Sequence, residues 1–320
     1  MIFFGVKMTN EIRYRLADAV SIYDNGQGYL LIVLGQRGTI CRLPYRQMTF
    51  DLLQFLESPA DIQSIEIRFP AVTCSSLRAA IDKLVSLDVL RVEHAEPRRI
   101  RCLLLGCGSI GSHIYRHISM LALEHITLVD HDVVTVDNIY RQDYVRTDIG
   151  KKKVDVLKSR ASRCLSIDSI DKMITCHSEL DELIDREKIN LVIQAADVPS
   201  TTEVARMINY SCDKKDIAFI VNPGYFGNSV SLPEFYYPNN KYDYISSHLA
   251  IKGKLLLHHE SGKLSYRLCS TLGSLVAEQV EDYRCHCCPA HYGEKGYFDI
   301  YDYAWHTEQV CKEPVPPNLL

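Results

Sequence analysis

Apolar runs alternate with amphipathic stretches along most of this 320-residue chain, and the pattern changes near residue 98. From residue 100 on, short apolar runs typical of buried parallel strands alternate with stretches of helical period. We predict strands at 100–105, 126–129, 191–195 and 217–221, and helices at 110–123, 151–163, 201–212 and 270–283. This order predicts an α/β fold with a doubly wound, Rossmann-like and mainly parallel sheet.

The first 98 residues have a different pattern, in which short strands precede helices. The clearest helix, at 76–87, places on one face Leu77, Ala80, Ile81, Leu84 and Leu87. We predict a small α+β, winged-helix-like domain over 1–98 and a second domain over 99–320. Within the second domain, a polar, tyrosine-rich stretch at 227–265 breaks the alternation and is predicted to form a lid or crossover.

Composition narrows the class of protein. The net charge of −4 and the pI of about 6.3 disfavour a protein that wraps nucleic acid through many phosphate contacts. No apolar run reaches the roughly 18–20 residues that span a bilayer, and residues 1–6 lack the length and basic flank of a signal peptide. The 12 cysteines are scattered, as expected for reduced thiols. We therefore expect a cytoplasmic protein without nucleic acid or membrane partners.

A glycine-rich turn connects the strand at 100–105 to the following helix. Gly106, Gly108 and Gly111 fit the pattern G-x-G-x-x-G, which lets backbone N–H groups approach a phosphate at the positive end of a helix. Asp130 ends the next strand, nineteen residues past Gly111, where a carboxylate can hold ribose hydroxyls. The motif predicts binding of ATP or a dinucleotide. A turn that serves only helix–sheet packing is the alternative.

Charged and polar residues follow this turn in a particular order. They are Asp132, Asn138, Arg141, Gln142, then Lys153 at the start of a helix, and Asp197 after a later apolar strand. Cations at Arg141 and Lys153 can offset the charge of phosphates, and an acid such as Asp197 can hold Mg²⁺. Each residue alone is more often a solvated surface charge. Their order after a glycine-rich turn favours a triphosphate over a nicotinamide cofactor.

Short motifs spread over residues 100–310 together resemble one enzyme family. They are Leu105–Gly111, Asp130–Asp132, Asn138–Gln142, Gly150–Lys153, Ala196–Pro199 and Val221–Tyr225. In this combination the chain resembles the ThiF/MoeB-type adenylating enzymes of the ubiquitin-activating superfamily. Within that family it is similar to the MccB-like and PaaA-like peptide-modifying enzymes, which carry an amino-terminal winged-helix element that recognises a leader peptide.

The resemblance implies a function. It implies ATP- and Mg²⁺-dependent adenylation of a carboxyl group on a ribosomally synthesised precursor peptide, leading to cyclisation or another modification in peptide antibiotic biosynthesis. The leader of that peptide would bind residues 1–98, and a homodimer is expected. The implied nucleotide-binding residues are Gly106, Gly108 and Gly111 at the phosphates, Asp130 at the ribose, Asn138, Arg141 and Lys153 at the phosphates, and also Asp132, Gln142 and Asp197. The implied catalytic residues are Arg141, Lys153 and the Mg²⁺ ligand Asp197.

The cysteines depart from the family pattern. Many relatives bind a structural zinc through two C-x-x-C pairs, and the first pair is missing near residues 236–244. The cluster of Cys285, Cys287 and Cys288 supplies only part of a tetrahedral site, so no structural zinc is expected. Residues that could complete the site in principle are His258, His259, Cys269, His291 and Cys311. Cys269 and Cys285 are also candidate nucleophiles, by location only.

Two other functions stay open. The chain could activate the C-terminal glycine of a ubiquitin-like sulfur carrier, although the missing cysteine pair and the amino-terminal domain argue against this. It could also be a scaffold without catalytic activity that presents a leader peptide to another enzyme. The intact Asp130, Arg141, Lys153 and Asp197 argue against a scaffold.

Overall fold

The computed structural model of the chain forms two compact units. The described residues are 12–35, 39–94, 96–161, 165–226, 229–238, 240, 244–247, 265–299, 302 and 304–310. The first unit contains the described residues up to Pro97, together with Cys285–Cys287. The second contains Arg98–Arg284 and the described residues from Cys288 onward.

The first unit combines short strands with short helices, and both of its described sheets are antiparallel. Its strands are β1 (Ile12–Leu16), β2 (Val20–Asp24), β3 (Tyr29–Leu34), β4 (Thr39–Pro44), β5 (Ala60–Asp61) and β6 (Leu90–His94), and its helices are α1 (Gln47–Phe55), α2 (Ile62–Arg68) and α3 (Cys74–Ser86). One sheet has the order β5-β1-β6 and the other the order β2-β3-β4.

The core of the first unit follows from two periodicities in the sequence. Leu30, Ile32 and Leu34 are buried at every second position of β3, because successive side chains of a strand point to opposite faces. Leu77 and Ile81, one turn apart on α3, pack into the same cluster. A strand with one buried face and an amphipathic helix therefore form the core of this unit.

The helix predicted over 76–87 is confirmed, with a slightly earlier start. It begins at Cys74 because the hydroxyl of Thr73 caps it, accepting a hydrogen bond from the backbone N–H of Ser76 at 3.3 Å. The winged-helix assignment and the leader-binding role of residues 1–98 stay predictions.

The second unit alternates strands and helices through most of its length. Its strands are β7 (Arg101–Leu105), β8 (His125–Val129), β9 (Ser166–Ile170), β10 (Leu191–Gln194), β11 (Ala218–Val221), β12 (Tyr225–Phe226), β13 (Ser229–Ser231), β14 (Glu234–Tyr236), β15 (Glu294–Asp299) and β16 (Ala304–Gln309), and its helices are α4 (Ser109–Ile118), α5 (Lys153–Ser159), α6 (His177–Glu187), α7 (Thr201–Lys215), α8 (Tyr244–Ser247) and α9 (Tyr266–Arg284). A smaller antiparallel sheet has the order β12-β13-β15-β16.

The central sheet of this unit has the order β14-β11-β10-β7-β8-β9. Its pairs are parallel except that of β14 with β11. The predicted α/β fold with a mainly parallel, doubly wound sheet is confirmed. The chain runs outward from β7 to β9 and then returns to β10 on the other side of β7. The helices that follow β7 and β10 therefore lie on opposite faces of the sheet, which leaves a crevice at its carboxyl edge.

Both faces of the sheet are covered. Along β7, Cys102 and Leu104 belong to one apolar cluster with α4 and α9, while Leu103 and Leu105 belong to another with α6 and α7. A strand buried on both faces reads as a continuous apolar run, which is why this strand was predictable. None of the described helices combines the length and the apolar character needed to cross a membrane.

Two helices of the second unit are shorter than predicted. The helix expected at 110–123 ends before Leu123, which reaches the core from the turn that follows. The helix expected at 151–163 begins only after Lys152, which is extended and pairs with Val133. In both cases the pattern located an element but overestimated its length. For α4 the reason is that an apolar residue outside the helix, Leu123, is also buried.

The segment 227–265 is more regular than predicted, because its described part contains β13, β14 and α8. Tyr236 and Tyr237 are buried, and the ring of Tyr236 stacks on that of Phe219 at 5.1 Å. Pairing of β14 with β11 places these tyrosines in the core. The residues 227–228, 239, 241–243 and 248–264 lie outside the described ones. The predicted role as a lid or crossover stays a prediction.

Candidate functional site

A cavity of about 820 Å³ opens at the crevice in the carboxyl edge of the central sheet. The predicted site residues that line it are Gly106, Gly108, Asp130, Asp132, Asn138, Arg141, Gln142, Lys153 and Asp197. They come from loops after three strands and from the start of α5. The parallel sheet thus brings together residues that lie far apart in the sequence.

The three glycines of the turn have different roles. Gly106 has a φ of +97°, and a Cβ there would lie 2.6 Å from the backbone nitrogen of Ala196, so the loops after β7 and β10 are in direct contact. A Cβ on Gly111 would overlap the carbonyl oxygen of Gly106. Gly111 therefore packs beneath the loop instead of lining the cavity. A Cβ on Gly108 would meet no atom within 4 Å.

The second and third glycines of the turn, Gly108 and Gly111, should respond differently to a methyl group. We expect Gly111→Ala to lower the free energy of unfolding by about 1–3 kcal/mol, because the added carbon overlaps backbone. Gly108→Ala should leave stability nearly unchanged and weaken ATP binding, since its methyl group occupies the cavity. Urea denaturation and calorimetry with ATP measure the two effects. Equal losses of stability would contradict this division of roles.

The loop before α4 presents backbone donors to the cavity. Gly108 is the N-cap residue of α4, and no described side chain accepts hydrogen bonds from the first turn of this helix. The N–H groups of that turn are therefore left for a ligand. An anion at this end is also favoured by the helix dipole. The loop is held from two sides, because the backbone N–H of Cys107 donates to Asp130 Oδ2 at 2.7 Å and the Tyr144 hydroxyl donates to the Cys107 carbonyl at 2.8 Å.

The acidic residues after β8 are tied to the backbone and to Lys153. Asp130 Oδ1 accepts from the backbone N–H of Asp132 at 2.8 Å, yet each of its oxygens has a second lone pair for a ribose hydroxyl. Lys153 is buried, and its Nζ donates to Asp132 Oδ2 at 2.7 Å. This ammonium holds the pKa of Asp132 below its ordinary value. Two further N–H donors of Lys153 remain for a phosphate.

Three predicted residues lie on the segment after β8. Asn138 is buried, and its Oδ1 accepts from the backbone N–H of Thr135 at 2.9 Å, so its amide is held in place. Gln142 is also buried, with its Nε2 3.4 Å from Ser109 Oγ. Arg141 is exposed, and among the described residues no carboxylate pairs with its guanidinium. Its charge is therefore available to an anionic ligand.

Asp197 lies in the loop after β10 and is exposed at the cavity. Gln194 braces this loop, since its Nε2 donates to the Thr201 carbonyl at 2.8 Å. Within the described part of the chain, the Asp197 carboxylate has no hydrogen bond or ion pair. A free carboxylate beside a phosphate site is the kind of ligand that Mg²⁺ prefers, so Asp197 fits a magnesium ion. Asp130 and Asp132, by contrast, already accept hydrogen bonds from the backbone and from Lys153.

The cysteine chemistry can be tested at Cys269. This thiol is buried in α9, and burial raises its pKa to about 12. A protonated, buried thiol is a poor nucleophile. We expect Cys269→Ser to retain the activity of the wild type, and we expect iodoacetamide to leave Cys269 unlabelled in the folded protein. Rapid labelling of this residue with parallel loss of activity would contradict the assignment.

No group of three potential metal ligands found among the described residues includes a cysteine. The two groups are His125, Asp168 and Glu187, and Asp130, His131 and Asp132. His258, His259 and Cys311 lie outside the described residues. The expectation that no structural zinc is bound stays a prediction.

The sequence analysis assigned no site role to several residues that line the cavity. They are Lys172, Met173 and Ile174 after β9, Thr202 on α7, and Asn222 after β11. The first three were missed because β9, with alternating polar residues, was not predicted. Its position as the next strand in a parallel sheet would have placed the residues after it at the same carboxyl edge.

A comparison with family models tests the resemblance in the motifs. The model of the ThiF family matches residues 89–287, more than half of the chain. The chain belongs to the ThiF family. The resemblance inferred from the sequence motifs is confirmed, and the matched range contains every predicted site residue of this ThiF domain.

Several proteins of known identity are similar in sequence or in fold to part or most of this chain. The adenylyltransferase and sulfurtransferase MOCS3 of Arabidopsis thaliana is 29% identical over 102 residues, which are 30% of this chain and 21% of that protein. This chain thus spans about a fifth of the length of the curated relatives it matches. The fold is similar to that of E. coli MccB, with a TM-score of 0.66 and 15% sequence identity over 95% of both chains. It is also similar to that of PaaA, with a TM-score of 0.55 and 19% sequence identity over 66% of this chain and 73% of PaaA. Structures of MccB include complexes with ATP and with MccA.

Proposed function

We propose that this ThiF family protein uses ATP to adenylate a carboxyl group of a ribosomally synthesised precursor peptide. The observation that carries the proposal is the convergence of Arg141, Lys153 and Asp197 on one cavity beside a glycine-rich loop. The fold similarity to MccB, which has been solved with ATP and with MccA, supports a peptide substrate.

The arrangement suits attack on a phosphate. A substrate carboxylate oxygen attacks the α-phosphorus of ATP, a new P–O bond forms, and the bond to the β-phosphate oxygen breaks, so that pyrophosphate leaves. Negative oxygens must approach each other, and Arg141 and Lys153 offset that charge. The resulting acyl-adenylate has AMP as a good leaving group. A nitrogen or carbon nucleophile of the peptide can then displace AMP, giving cyclisation or another modification.

Asp197 would hold Mg²⁺, which supplies charge neutralisation at the phosphates when bound. Asp130 would accept hydrogen bonds from the ribose, and Asn138 and Gln142 would add polar contacts to the nucleotide. These roles follow from the position of each side chain at the cavity and from the partners it already has.

ATP–pyrophosphate exchange tests the proposal. We expect exchange and AMP release that require the precursor peptide, and we expect mass spectrometry to show a modified peptide. Short reading frames beside the gene would supply candidate peptides. ATP binding with no exchange in the presence of any such peptide would contradict peptide adenylation. A homodimer, also implied by the resemblance, would be tested by light scattering.

The first unit offers a sheet edge for the leader peptide. β4 is an edge strand of the sheet β2-β3-β4, and Ile40 on it is 62% exposed. Cys41 of the same strand reaches the end of α3, its thiol lying 3.9 Å from the Leu87 carbonyl. We propose that the leader adds to β4 as a further strand, beside α3.

Ile40→Glu should weaken leader binding about tenfold, the equivalent of about 1.4 kcal/mol, because it places a charge on an apolar peptide contact. Fluorescence anisotropy with labelled leader measures this loss, and ATP affinity should not change. Ile67→Glu, at an exposed position of α2, is the control and should bind leader normally. If both variants bind equally well, the leader does not use the β4 edge.

A sulfur-carrier substrate is the alternative, and the likeness to MOCS3 favours it. AMP release that requires a carrier protein ending in Gly-Gly, and not a short peptide, would establish that alternative. A scaffold without catalytic activity would bind leader tightly and show no heat with ATP and Mg²⁺. Peptide adenylation, activation of a sulfur carrier and a scaffold role thus give different results when AMP release and the heat of ATP binding are measured.

A further inference from the structure

Four polar residues form a stripe along one face of α4. They are Ser109, Ser112, His113 and Arg116, spaced i, i+3, i+4 and i+7. Residues at these intervals share one face of a helix. Each of the four contacts a residue of the short segment 141–143. The helix whose first turn faces the cavity therefore also holds the segment that carries Arg141.

His113 makes the contact to Arg141 itself. Its ring is fully buried, and its Nε2 lies 3.0 Å from the Arg141 carbonyl oxygen. A carbonyl only accepts hydrogen bonds, so Nε2 carries the proton. Nδ1 is buried and has no hydrogen-bond partner in the described residues, and burial lowers the pKa of the imidazole. The neutral ring packs edge-on against Tyr266, with centroids 4.4 Å apart.

The other end of the segment is held at Asp143. Its backbone N–H donates to Ser112 Oγ at 3.0 Å, and its Oδ1 accepts from Arg116 at 2.9 Å and from the Tyr266 hydroxyl at 3.1 Å. Tyr266 thus contacts both His113 and Asp143. The backbone on both sides of Gln142 is fixed to α4, while the guanidinium of Arg141 is exposed and without a carboxylate partner among the described residues.

We propose that His113 is a positioning residue that sets the direction of Arg141 toward the nucleotide, through the hydrogen bond to the Arg141 carbonyl. The inference rests on the proposed adenylation function. Because an exposed arginine has many rotamers, the placement of its backbone decides which of them reach the phosphates. His113 acts through Arg141, so its removal should matter only while Arg141 is present.

A double-mutant cycle tests this dependence. His113→Leu introduces an apolar side chain of similar size and removes the Nε2–H donor to the Arg141 carbonyl. We expect kcat/KM for ATP in pyrophosphate exchange to fall about 10- to 100-fold in His113→Leu and about 100-fold or more in Arg141→Ala. The double variant should stay within about threefold of Arg141→Ala. Losses that multiply, or an Arg141→Ala variant as active as the wild type, would overturn the proposal.

The donor can be restored and the packing can be controlled. His113→Gln places an amide Nε2 near the original donor and should recover most of the loss. His117 lies one turn further along α4, and its Nε2 lies 3.3 Å from Ser270 Oγ on α9. His117→Leu removes a similar interhelical contact and should leave kcat/KM within about threefold of the wild type. Equal activity losses in His113→Leu and His117→Leu would show that His113 only supports helix packing.

Amide hydrogen exchange separates this inference from the proposed function, because it needs no substrate. We expect exchange at residues 139–143 to accelerate in His113→Leu and not in His117→Leu or His113→Gln. Unchanged exchange in His113→Leu would overturn the positioning role, whatever the activity. If the wild type fails to bind ATP, the adenylation proposal fails, while the exchange data still decide whether His113 fixes this segment.

Discussion

Lys153→Met is expected to lower ATP–pyrophosphate exchange by about 100- to 1,000-fold, in line with the loss of one fixed donor at a reacting phosphate. Lys153 is 5% exposed, so its ammonium is directed by the protein and screened little by salt. Among the residues that the structure describes, its one carboxylate partner is Asp132, at 2.7 Å. Exchange kinetics over a range of ATP concentrations would separate loss of binding from loss of the chemical step.

The same variant should still fold. Asp132 is about half exposed, and an ion pair with an exposed partner contributes little to stability. Lys153 lowers the pKa of Asp132. The stability that this ion pair contributes is therefore fully present above the ordinary pKa of an aspartate, and it is lost as the pH falls through the lowered pKa. Urea denaturation at pH 7 and at pH 3 should therefore show a small difference between the wild type and Lys153→Met, which shrinks at the lower pH.

The neighbouring lysine is the matched control. Lys152 is also adjacent to the start of α5, but its ammonium pairs with Asp171 at 3.1 Å and does not line the cavity. Lys152→Met should exchange pyrophosphate at the rate of the wild type. Comparable losses in both variants would mean that net charge near the crevice matters and that Lys153 has no specific contact with the nucleotide.

The location of the site could be predicted from the sequence because it depends on a few strong rules. Gly106, Asp130 and Asp197 each follow an apolar run that forms a buried strand, and parallel strands end at the same edge of a sheet. Their convergence required only that the strands be recognised. Arg141 and Lys153 lie in irregular structure and at a helix start. Their position at the cavity was predicted from their order after the glycine-rich turn and from the family resemblance.

Other features depend on tertiary contacts that no local pattern contains. Gly111 fits the phosphate-binding motif, yet it packs against Gly106. Tyr236 looks like part of a polar segment, but the pairing of β14 with β11 buries it. His113 falls on the buried face of an amphipathic helix, where a histidine is ordinarily just a core residue. Its hydrogen bond to the carbonyl of Arg141, 28 residues away, becomes visible only in three dimensions.

Asp197→Asn is expected to reduce Mg²⁺-dependent exchange by about 100-fold or more, because an amide oxygen binds a hard divalent cation much less strongly than a carboxylate. The substitution preserves size, and the carboxylate has no partner among the described residues, so no protein contact is lost. The apparent Mg²⁺ requirement should shift to higher concentration. Titration of Mg²⁺ at saturating ATP and peptide measures this shift, and Mn²⁺ binding followed by electron paramagnetic resonance gives a readout independent of activity.

A second acidic group provides the control for this prediction. Asp168 belongs to a group of potential metal ligands with His125 and Glu187. It lies on β9, paired with Thr127 of β8, and does not line the cavity. Asp168→Asn should retain the exchange rate and the Mn²⁺ signal of the wild type. If Asp168→Asn lost the metal while Asp197→Asn kept it, the ion would belong to the His125 group, and the phosphates would depend on Arg141 and Lys153 for charge. That outcome would leave the nucleotide site in place and remove Asp197 from the proposed catalytic residues.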